Sequence, residues 1–323
     1  MQVFIVGGAG FIGSHFCGYF LNRPETKKLT IFDNFTSGQE WHIAPYRKDP
    51  RFKVERGDVK ELDLLTQTMA GHDLVVHLAS NPDIAKSMTD PTIDFWEGTY
   101  LTHNVLEAMR QSGTKTILYA SGSGVYGDTQ DLELSENYGP MVPISTYGAS
   151  KLAGEALIAS YCHMFEMVGR CFRFGNVVGP RQTHGVGYDF VRNLVRNPKE
   201  LRIMGDGTQS KSYIHVDDVI SGVMTSYKNE SDKFASYNVA TGDYITVKEI
   251  AQIALNVLGL DVKTVQMNFT GGDRGWKGDV PVIRLNTDRI CSLGWSCQKN
   301  AAEAIRCSVQ SLVSDVRDGR IAL

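Results

Sequence analysis

Short apolar runs alternate with helix-length amphipathic segments over the first half of the chain. Strands are predicted at residues 3–6, 29–32, 52–56, 74–77, 116–120 and 167–174, and helices at 12–21, 59–69, 94–111 and 150–162. Strands that alternate with helices favour a parallel sheet covered on both faces, and continuously apolar runs fit strands buried on both sides. The pattern therefore predicts an α/β fold with a doubly wound parallel sheet.

The pattern changes after about residue 180, where glycines and prolines divide the chain into shorter segments. Helices are predicted at residues 189–196, 216–227, 247–258 and 300–315, whereas the glycine-rich residues 264–282 favour a loop or short strands. We therefore expect a sheet domain over residues 1–180 and a smaller C-terminal α/β lobe over 181–323. Some segments are expected to exchange between the two, and a cleft is expected to lie between them.

Composition and charge argue against several classes of function. Hydrophobic residues make up 42% and charged residues 21%, and the formal net charge of −3 gives no electrostatic case for a nucleic-acid or membrane partner. No apolar run approaches the roughly 18 residues of a membrane span, and the apolar N-terminus resembles a buried strand rather than a signal peptide. The six cysteines form no CxxC pair. Reduced thiols, no metal site and a cytoplasmic location are therefore expected.

A glycine-rich turn follows the first predicted strand. Gly7, Gly10 and Gly13 have the spacing GxxGxxG and open a helix, which is the context of a dinucleotide-binding turn. Such glycines allow a tight turn, close approach of a pyrophosphate and close packing of the helix, whose N-terminus attracts phosphate. Asp33, at the end of the second strand, is placed to bind an adenosine ribose and to repel a 2′-phosphate. The pattern predicts a Rossmann-type domain that binds NAD.

A tyrosine and a lysine have the spacing YxxxK. Tyr147 and Lys151 lie four residues apart, so on a helix they share one face. A free phenol has a pKa of about 10 and is a poor base at neutral pH, but a neighbouring ammonium favours the phenolate. The positive nicotinamide acts in the same direction, so we expect Lys151 and the bound cofactor together to lower the pKa of Tyr147 toward the working range of a general base.

Further motifs extend along nearly the whole chain. They are GGAGFIG at 7–13, DN at 33–34, GDV at 57–59, HLA at 77–79, VYGD at 125–128, YGASK at 147–151, RFGNVVGPR at 173–181, YIHVDD at 213–218 and GDVP at 278–281. Together they resemble the extended short-chain dehydrogenase/reductase family, specifically its NAD-dependent nucleotide-sugar epimerases and dehydratases, such as UDP-glucose 4-epimerase. The resemblance implies that the C-terminal lobe binds a nucleoside-diphosphate sugar and that the protein is a homodimer.

The resemblance also implies a reaction. Tyr147 takes the proton from a sugar hydroxyl, commonly at C4, the nicotinamide takes the hydride, and Lys151 holds the nicotinamide ribose. An epimerase then returns the hydride to the other face of the sugar. The expected cofactor contacts are Gly7, Gly10, Phe11, Ile12, Gly13, Asp33, Asn34, Asp58, Val59, Leu78, Ala79, Ser80, Tyr147 and Lys151.

The expected substrate contacts lie in both halves of the chain. Asn176 matches the diphosphate-binding asparagine of the resembling family. Lys211 and Arg274 are candidate phosphate cations, although Lys211 stands where the family usually has arginine and cannot form its bidentate fork. Asn81 follows the fourth predicted strand, where it either contacts the sugar or forms a plain turn.

One position departs from the pattern of the family. Gly122 stands where a serine or threonine usually bonds the reacting hydroxyl, so either Ser121, Ser123 or a water fills that role. Neighbours on an extended strand point to opposite faces, and we favour Ser123. The carboxylates of dehydratases and decarboxylases are replaced by Ser123 and Gly124. We therefore expect a 4-epimerase, with a 4-dehydrogenase as the alternative and a dehydratase, a decarboxylase or a non-catalytic NAD-binding protein less favoured.

Overall fold

The structure is a computed structural model that describes residues 1–322. Its strands are β1 (Gln2–Val6), β2 (Lys28–Asp33), β3 (Phe52–Arg56), β4 (Leu74–His77), β5 (Thr116–Gly122), β6 (Glu133–Leu134), β7 (Val168–Phe174), β8 (Asn176–Val178), β9 (Glu200–Ile203), β10 (Ser210–Lys211), β11 (Tyr213–His215), β12 (Phe234–Val239), β13 (Ile245–Thr246), β14 (Gln266–Phe269) and β15 (Arg284–Leu285). Its helices are α1 (Phe11–Leu21), α2 (Glu40–Ile43), α3 (Leu62–Met69), α4 (Leu101–Ser112), α5 (Thr146–Met164), α6 (Val186–Arg196), α7 (Val216–Asn229), α8 (Val247–Leu258), α9 (Asp288–Ser292) and α10 (Ala301–Arg317).

A seven-stranded sheet forms the centre of the molecule. Its strand order is β12-β7-β5-β4-β1-β2-β3, and all neighbouring strands are parallel. The chain builds the sheet in one direction from β1 to β3 and then in the other direction from β4 to β12. This confirms the predicted doubly wound α/β fold. Such sheets bind ligands beyond the carboxyl ends of their strands, at the point where the strand order reverses, here between β1 and β4.

Both faces of the sheet are buried, which explains the continuously apolar strands. Along β1, Val3 and Ile5 pack with α1 and α7 on one face, whereas Phe4 and Val6 pack with α3, α4 and α5 on the other. All four side chains are completely buried. Their alternation follows from the two-residue period of a strand.

The smaller lobe has its own hydrophobic core, formed mainly by α6, α8 and α10. Short two-stranded pairs surround it, and one of them joins β9 to β14 within the glycine-rich segment. β12 lies beyond the predicted boundary at residue 180, yet it pairs with β7 and completes the central sheet. No helix within residues 1–322 is both long and apolar enough to span a bilayer.

Two differences from the predicted helices affect the site. The segment predicted as one helix over 94–111 is a π-helix, Phe95–Tyr100, followed by α4. α5 begins four residues before the predicted helix, because the Ser145 side chain caps it by accepting a hydrogen bond from the Gly148 N–H at 3.1 Å. This early start places Tyr147 in the first turn of α5.

Candidate active site

A cleft of about 1990 Å³ lies at the carboxyl ends of the parallel strands, bounded by the C-terminal lobe. This volume exceeds the roughly 300–1,000 Å³ typical of sites for one drug-sized ligand. Segments that follow β1, β2, β3, β4, β5 and β7 all contribute to its wall. The cleft therefore has room for a dinucleotide together with a second large ligand.

The glycine turn forms one end of this cleft. Gly7 has a φ of 82°, and a β-carbon there would lie 2.8 Å from the Ala79 nitrogen. A β-carbon at Gly13 would collide with the Gly7 carbonyl oxygen. Gly10 precedes α1 and provides no side-chain cap, so the first N–H groups of the helix face the cleft without partners from a capping side chain. The turn thus fits a pyrophosphate at a helix N-terminus.

Asp33, the last residue of β2, is fixed at the edge of the same cleft. Its two carboxylate oxygens accept hydrogen bonds from the Ala9 N–H at 2.9 Å and the Phe35 N–H at 2.8 Å. Burial raises the pKa of Asp33, and these two hydrogen bonds act in the opposite direction. A carboxylate held in this place fits a ribose diol and disfavours a 2′-phosphate.

The structure brings all the expected cofactor contacts to the wall of one cleft. The lining residues include Gly7, Gly10, Phe11, Ile12, Gly13, Asp33, Asn34, Asp58, Val59, Leu78, Ala79, Ser80, Tyr147 and Lys151. Asn34 donates a hydrogen bond to Asp58 at 3.1 Å, which links the ends of β2 and β3. Most of these residues come from the carboxyl ends of β1, β2, β3 and β4, whereas Tyr147 and Lys151 lie on α5. The sheet topology places them side by side.

Tyr147 and Lys151 lie on the cleft side of α5. The Lys151 Nζ is 5.5 Å from the centre of the Tyr147 ring and donates a hydrogen bond to the Ala120 carbonyl at 2.8 Å. Burial lowers the pKa of Lys151 to about 8, while the carboxylates of Asp94 and Glu155 act in the opposite direction. The ammonium is therefore fixed by the end of β5, within one helical turn of the phenol.

The expected lowering of the Tyr147 pKa does not occur in the protein alone. Burial raises the pKa of Tyr147 to about 12, the Asp94 carboxylate adds to the increase, and the Ser80 side chain opposes it. The spacing of the two residues indicates the positive charge near the phenol but not the loss of water around it, which disfavours the charged phenolate.

The structure distinguishes the two candidate serines beside Gly122. The Ser121 hydroxyl donates to the buried Glu155 carboxylate at 2.5 Å, and Glu155 is also paired with Arg173 at 2.7 Å. Ser121 also lines the cleft, but its hydroxyl is bonded within this buried polar cluster, and its catalytic role stays a prediction. Ser123 is half-buried and lines the cleft.

Gly122 itself leaves open space in front of the phenol. A β-carbon built there has the Tyr147 Cε1 atom, 4.0 Å away, as its nearest neighbour. The backbone of Gly122 is extended, with φ −162° and ψ 162°, so it is accessible to any residue. The glycine is therefore not required by its backbone conformation.

Asn81 adopts the turn role that the sequence left open. Its amide nitrogen donates to the Asp83 carbonyl at 2.8 Å and to the Asp94 carboxylate at 2.9 Å. Its amide oxygen accepts a hydrogen bond from the Asp83 N–H at 3.0 Å. Asn81 borders the cleft but is buried, and both ends of its side chain are already bonded.

The far end of the cleft contains two of the expected diphosphate contacts. Asn176 is exposed there. Lys211 also lines the cleft, where it pairs with Asp279 at 2.6 Å and lies 5.5 Å from the centre of the Trp276 ring. An anion at this end would compete with Asp279 for the lysine.

Arg274 has a different environment from the one predicted. Its guanidinium pairs with Asp128 at 2.5 Å and donates to the Asp279 carbonyl at 2.8 Å. Within residues 1–322 it is not among the residues that line the cleft. A carboxylate 146 positions earlier in the chain thus pairs with this guanidinium, and the role of Arg274 as a direct substrate contact stays a prediction.

Known proteins match both the sequence and this architecture. The NAD dependent epimerase/dehydratase family matches residues 3–240. The UDP-glucose 4-epimerase of Lacticaseibacillus casei is 26% identical, over 94% of this chain and 98% of its own. A crystal structure of a UDP-galactose 4-epimerase is 34% identical, with a TM-score of 0.87, over 98% of this chain and 100% of the other. The dTDP-glucose 4,6-dehydratase of Streptomyces venezuelae, solved with NAD bound, is 26% identical with a TM-score of 0.88, over 99% and 98% of the two chains.

These similarities extend over the sheet and the lobe alike, and they confirm the resemblance drawn from the motifs. They also confirm NAD as the cofactor, because the family is NAD-dependent and a related enzyme was solved with NAD bound. Both epimerases and dehydratases occur among the relatives, so the comparisons leave the particular reaction open. The chain belongs to the NAD-dependent epimerase/dehydratase family of enzymes.

Proposed function

We propose that this enzyme is a 4-epimerase of a nucleoside-diphosphate sugar. One observation carries the proposal: Tyr147 and Lys151 share one wall of a cleft that runs from the glycine turn to Asn176 and Lys211. A dinucleotide on the turn and a diphosphate at the far end would place a nicotinamide and a sugar on either side of the phenol.

The chain provides residues that would bind the pyrophosphate and both riboses of the cofactor. The glycine turn and the N-terminus of α1 fit the pyrophosphate, Asp33 fits the adenosine ribose, and Lys151 fits the nicotinamide ribose. When bound, NAD supplies a positively charged ring that can accept a hydride and later return it. Every proton transfer proposed below belongs to side chains of the protein.

Tyr147 is proposed as the general base and, on the return step, as the general acid. Because burial raises the pKa of Tyr147 to about 12, the phenol of the protein alone holds its proton at neutral pH. A positive charge brought beside the phenol favours the phenolate, which would then take the hydroxyl proton of the sugar. Lys151, fixed on the Ala120 carbonyl, would contribute a second positive charge.

Ser123 and Gly124 favour epimerisation over elimination. Dehydration and decarboxylation require an extra acid or base near the sugar, but these two positions carry no carboxylate. Oxidation and re-reduction at one carbon would need NAD for the hydride and Tyr147 for the proton, with no further acid or base. The second candidate is a 4-dehydrogenase, favoured by Gly122, because the missing hydroxyl could slow return of the hydride and leave a keto sugar.

The test is anaerobic incubation of the purified protein with UDP-glucose, UDP-galactose and dTDP-glucose, with the Tyr147→Phe variant as the matched control. An epimerase yields the C4 epimer without lasting absorbance from reduced nicotinamide, and the control retains cofactor but loses turnover. A keto product with a stoichiometric rise in that absorbance would instead identify the dehydrogenase. Unchanged turnover by Tyr147→Phe would refute both.

We also propose a homodimer formed through the α4 and α5 side of the sheet. Large apolar side chains are exposed there: Phe95 and Trp96 on the π-helix before α4, and Met164 at the end of α5. A second copy of the chain would remove this surface from water. Light scattering on the purified protein should give twice the 35.7 kDa mass of the chain, and Trp96→Glu should lower it. A monomeric mass at all concentrations would refute the dimer.

A further inference from the structure

A buried carboxylate lies beside the catalytic pair and has no part in the reaction outlined above. Asp94 is only 1% exposed. One of its oxygens accepts a hydrogen bond from the Asn81 amide at 2.9 Å, and the other accepts one from the Thr146 hydroxyl at 2.6 Å. Within residues 1–322 it forms no ion pair at 4 Å or less.

These two bonds attach Asp94 to the helix that carries the base. Thr146 is the first residue of α5 and directly precedes Tyr147. Asn81 lies in the turn that follows β4, on the wall of the cleft. The Asp94 carboxylate therefore links the turn after β4 to the first turn of α5, which carries Tyr147.

Hydrogen bonding alone does not account for an acid at this position. Both partners of Asp94 are neutral donors, and an asparagine oxygen could accept the amide bond while its nitrogen donated to the threonine. Burying a charge that has only neutral partners costs stability that an amide would not lose. The hydrogen bonds of Asp94 therefore do not explain its negative charge, which points to an electrostatic function.

We propose that Asp94 is a positioning residue whose negative charge sets the ionisation of Tyr147 and Lys151 together. The inference rests on the proposed function, in which this pair performs the proton transfer. A nearby negative charge favours the protonated form of both groups. It keeps Lys151 cationic despite its burial, and it makes the phenol reluctant to ionise before a positive charge arrives.

The other ionisable groups around the pair are distributed over several elements. They are His77 on β4, Tyr119 on β5, Glu155 on α5 and Arg173 on β7. Burial lowers the pKa of His77 to about 3, so it stays neutral, and Glu155 is paired with Arg173. Unlike Glu155, Asp94 has no cationic partner among the described residues, and its negative charge raises the pKa of both Tyr147 and Lys151.

The deciding experiment compares Asp94→Asn with Thr146→Val in the enzyme that retains its cofactor. Asp94→Asn removes the charge and keeps both bonds, so both limbs of the pH profile of kcat should move to lower pH by about one unit. A shift of this order is expected when one unit charge is removed from a buried site near both groups. Thr146→Val removes a bond and keeps the charge, so it should lower kcat without moving the limbs.

A second measurement does not depend on turnover. Tyrosine labelled at Cζ with ¹³C reports ionisation of Tyr147, whose resonance is identified by its loss in Tyr147→Phe. The midpoint should fall by about one unit in Asp94→Asn, and Asp94→Ser provides a second uncharged variant if the first folds poorly.

If Asp94→Asn moves neither the limbs of the pH profile of kcat nor the titration midpoint of Tyr147, the proposal is overturned, even if kcat falls. A shift caused equally by Thr146→Val would also overturn it, because the bond rather than the charge would then be responsible. Full activity of Tyr147→Phe would refute the proposed function. The two failures are distinguishable, because the labelled Tyr147 of the wild-type and Asp94→Asn proteins reports the effect of Asp94 without any turnover.

Discussion

Restoring a hydroxyl at position 122 is the most direct test of how this site compensates for its glycine. Gly122→Ser requires no backbone strain, because φ −162° and ψ 162° are extended, and the nearest atom to its β-carbon is Tyr147 Cε1 at 4.0 Å. Replacing a glycine where the backbone is compatible stabilises a fold by about 0.4–1 kcal/mol, through the unfolded chain. For a chain of 323 residues, we therefore expect a melting temperature that rises by about 0.6–1.5 °C.

The same substitution should affect catalysis. A hydrogen bond to the reacting hydroxyl is worth about 0.5–1.5 kcal/mol, so turnover in the proposed epimerase reaction should rise by roughly 2- to 12-fold. Less reduced cofactor should accumulate at the steady state, since the hydride returns sooner. The assay follows both epimers by chromatography and the reduced nicotinamide by absorbance, with Ser123→Ala as the matched control.

Comparing Gly122→Ser with Ser123→Ala identifies which residue donates the hydrogen bond to the reacting hydroxyl. If Ser123 already provides the hydroxyl, Ser123→Ala alone should lower turnover. The same substitution should lower turnover less when it is combined with Gly122→Ser. A Gly122→Ser variant with a more stable fold but a lower turnover would refute the reasoning. It would mean that the space in front of Tyr147 is needed by the sugar itself.

Three further changes test other parts of the structure. Glu155→Gln removes the counter-charge of the buried Arg173 guanidinium, and chemical denaturation should show a loss of about 3–5 kcal/mol; a loss below about 1 kcal/mol would contradict the ion pair. Gly13→Ala sets a methyl group against the Gly7 carbonyl, so the purified protein should lose bound NAD while keeping its helical circular dichroism. Lys211→Ala should raise the KM for the nucleotide sugar at least tenfold with little change in kcat, whereas Lys211→Arg should restore it; an unchanged KM would remove the lysine from the diphosphate site.

Local patterns in the chain were sufficient to predict most of the sheet and the cofactor side of the cleft. β3 and β4 have the predicted bounds, and the other predicted strands differ at their ends by one or two residues. The glycine spacing and the acid at the end of β2 are read within one βαβ unit, whose geometry is determined by nearest neighbours in sequence. The YxxxK spacing likewise needs only a helix to become a pair on one face.

Contacts between distant parts of the chain decided the rest. β12 joins the sheet because it pairs with β7, and Arg274 forms an ion pair with Asp128, which lies far from it in the sequence. Asp94, read from sequence only as the start of a helix, meets Thr146 from 52 positions away.

The ionisation of Tyr147 and Lys151 is also decided by contacts between distant parts of the chain. The spacing of Tyr147 and Lys151 suggested an acidic phenol, but burial and Asp94 raise its pKa instead. Spacing along a helix is a short-range property, whereas the exclusion of water and the direction of a buried charge depend on every element packed around the group. Only the assembled tertiary structure, with its low local dielectric, determines them.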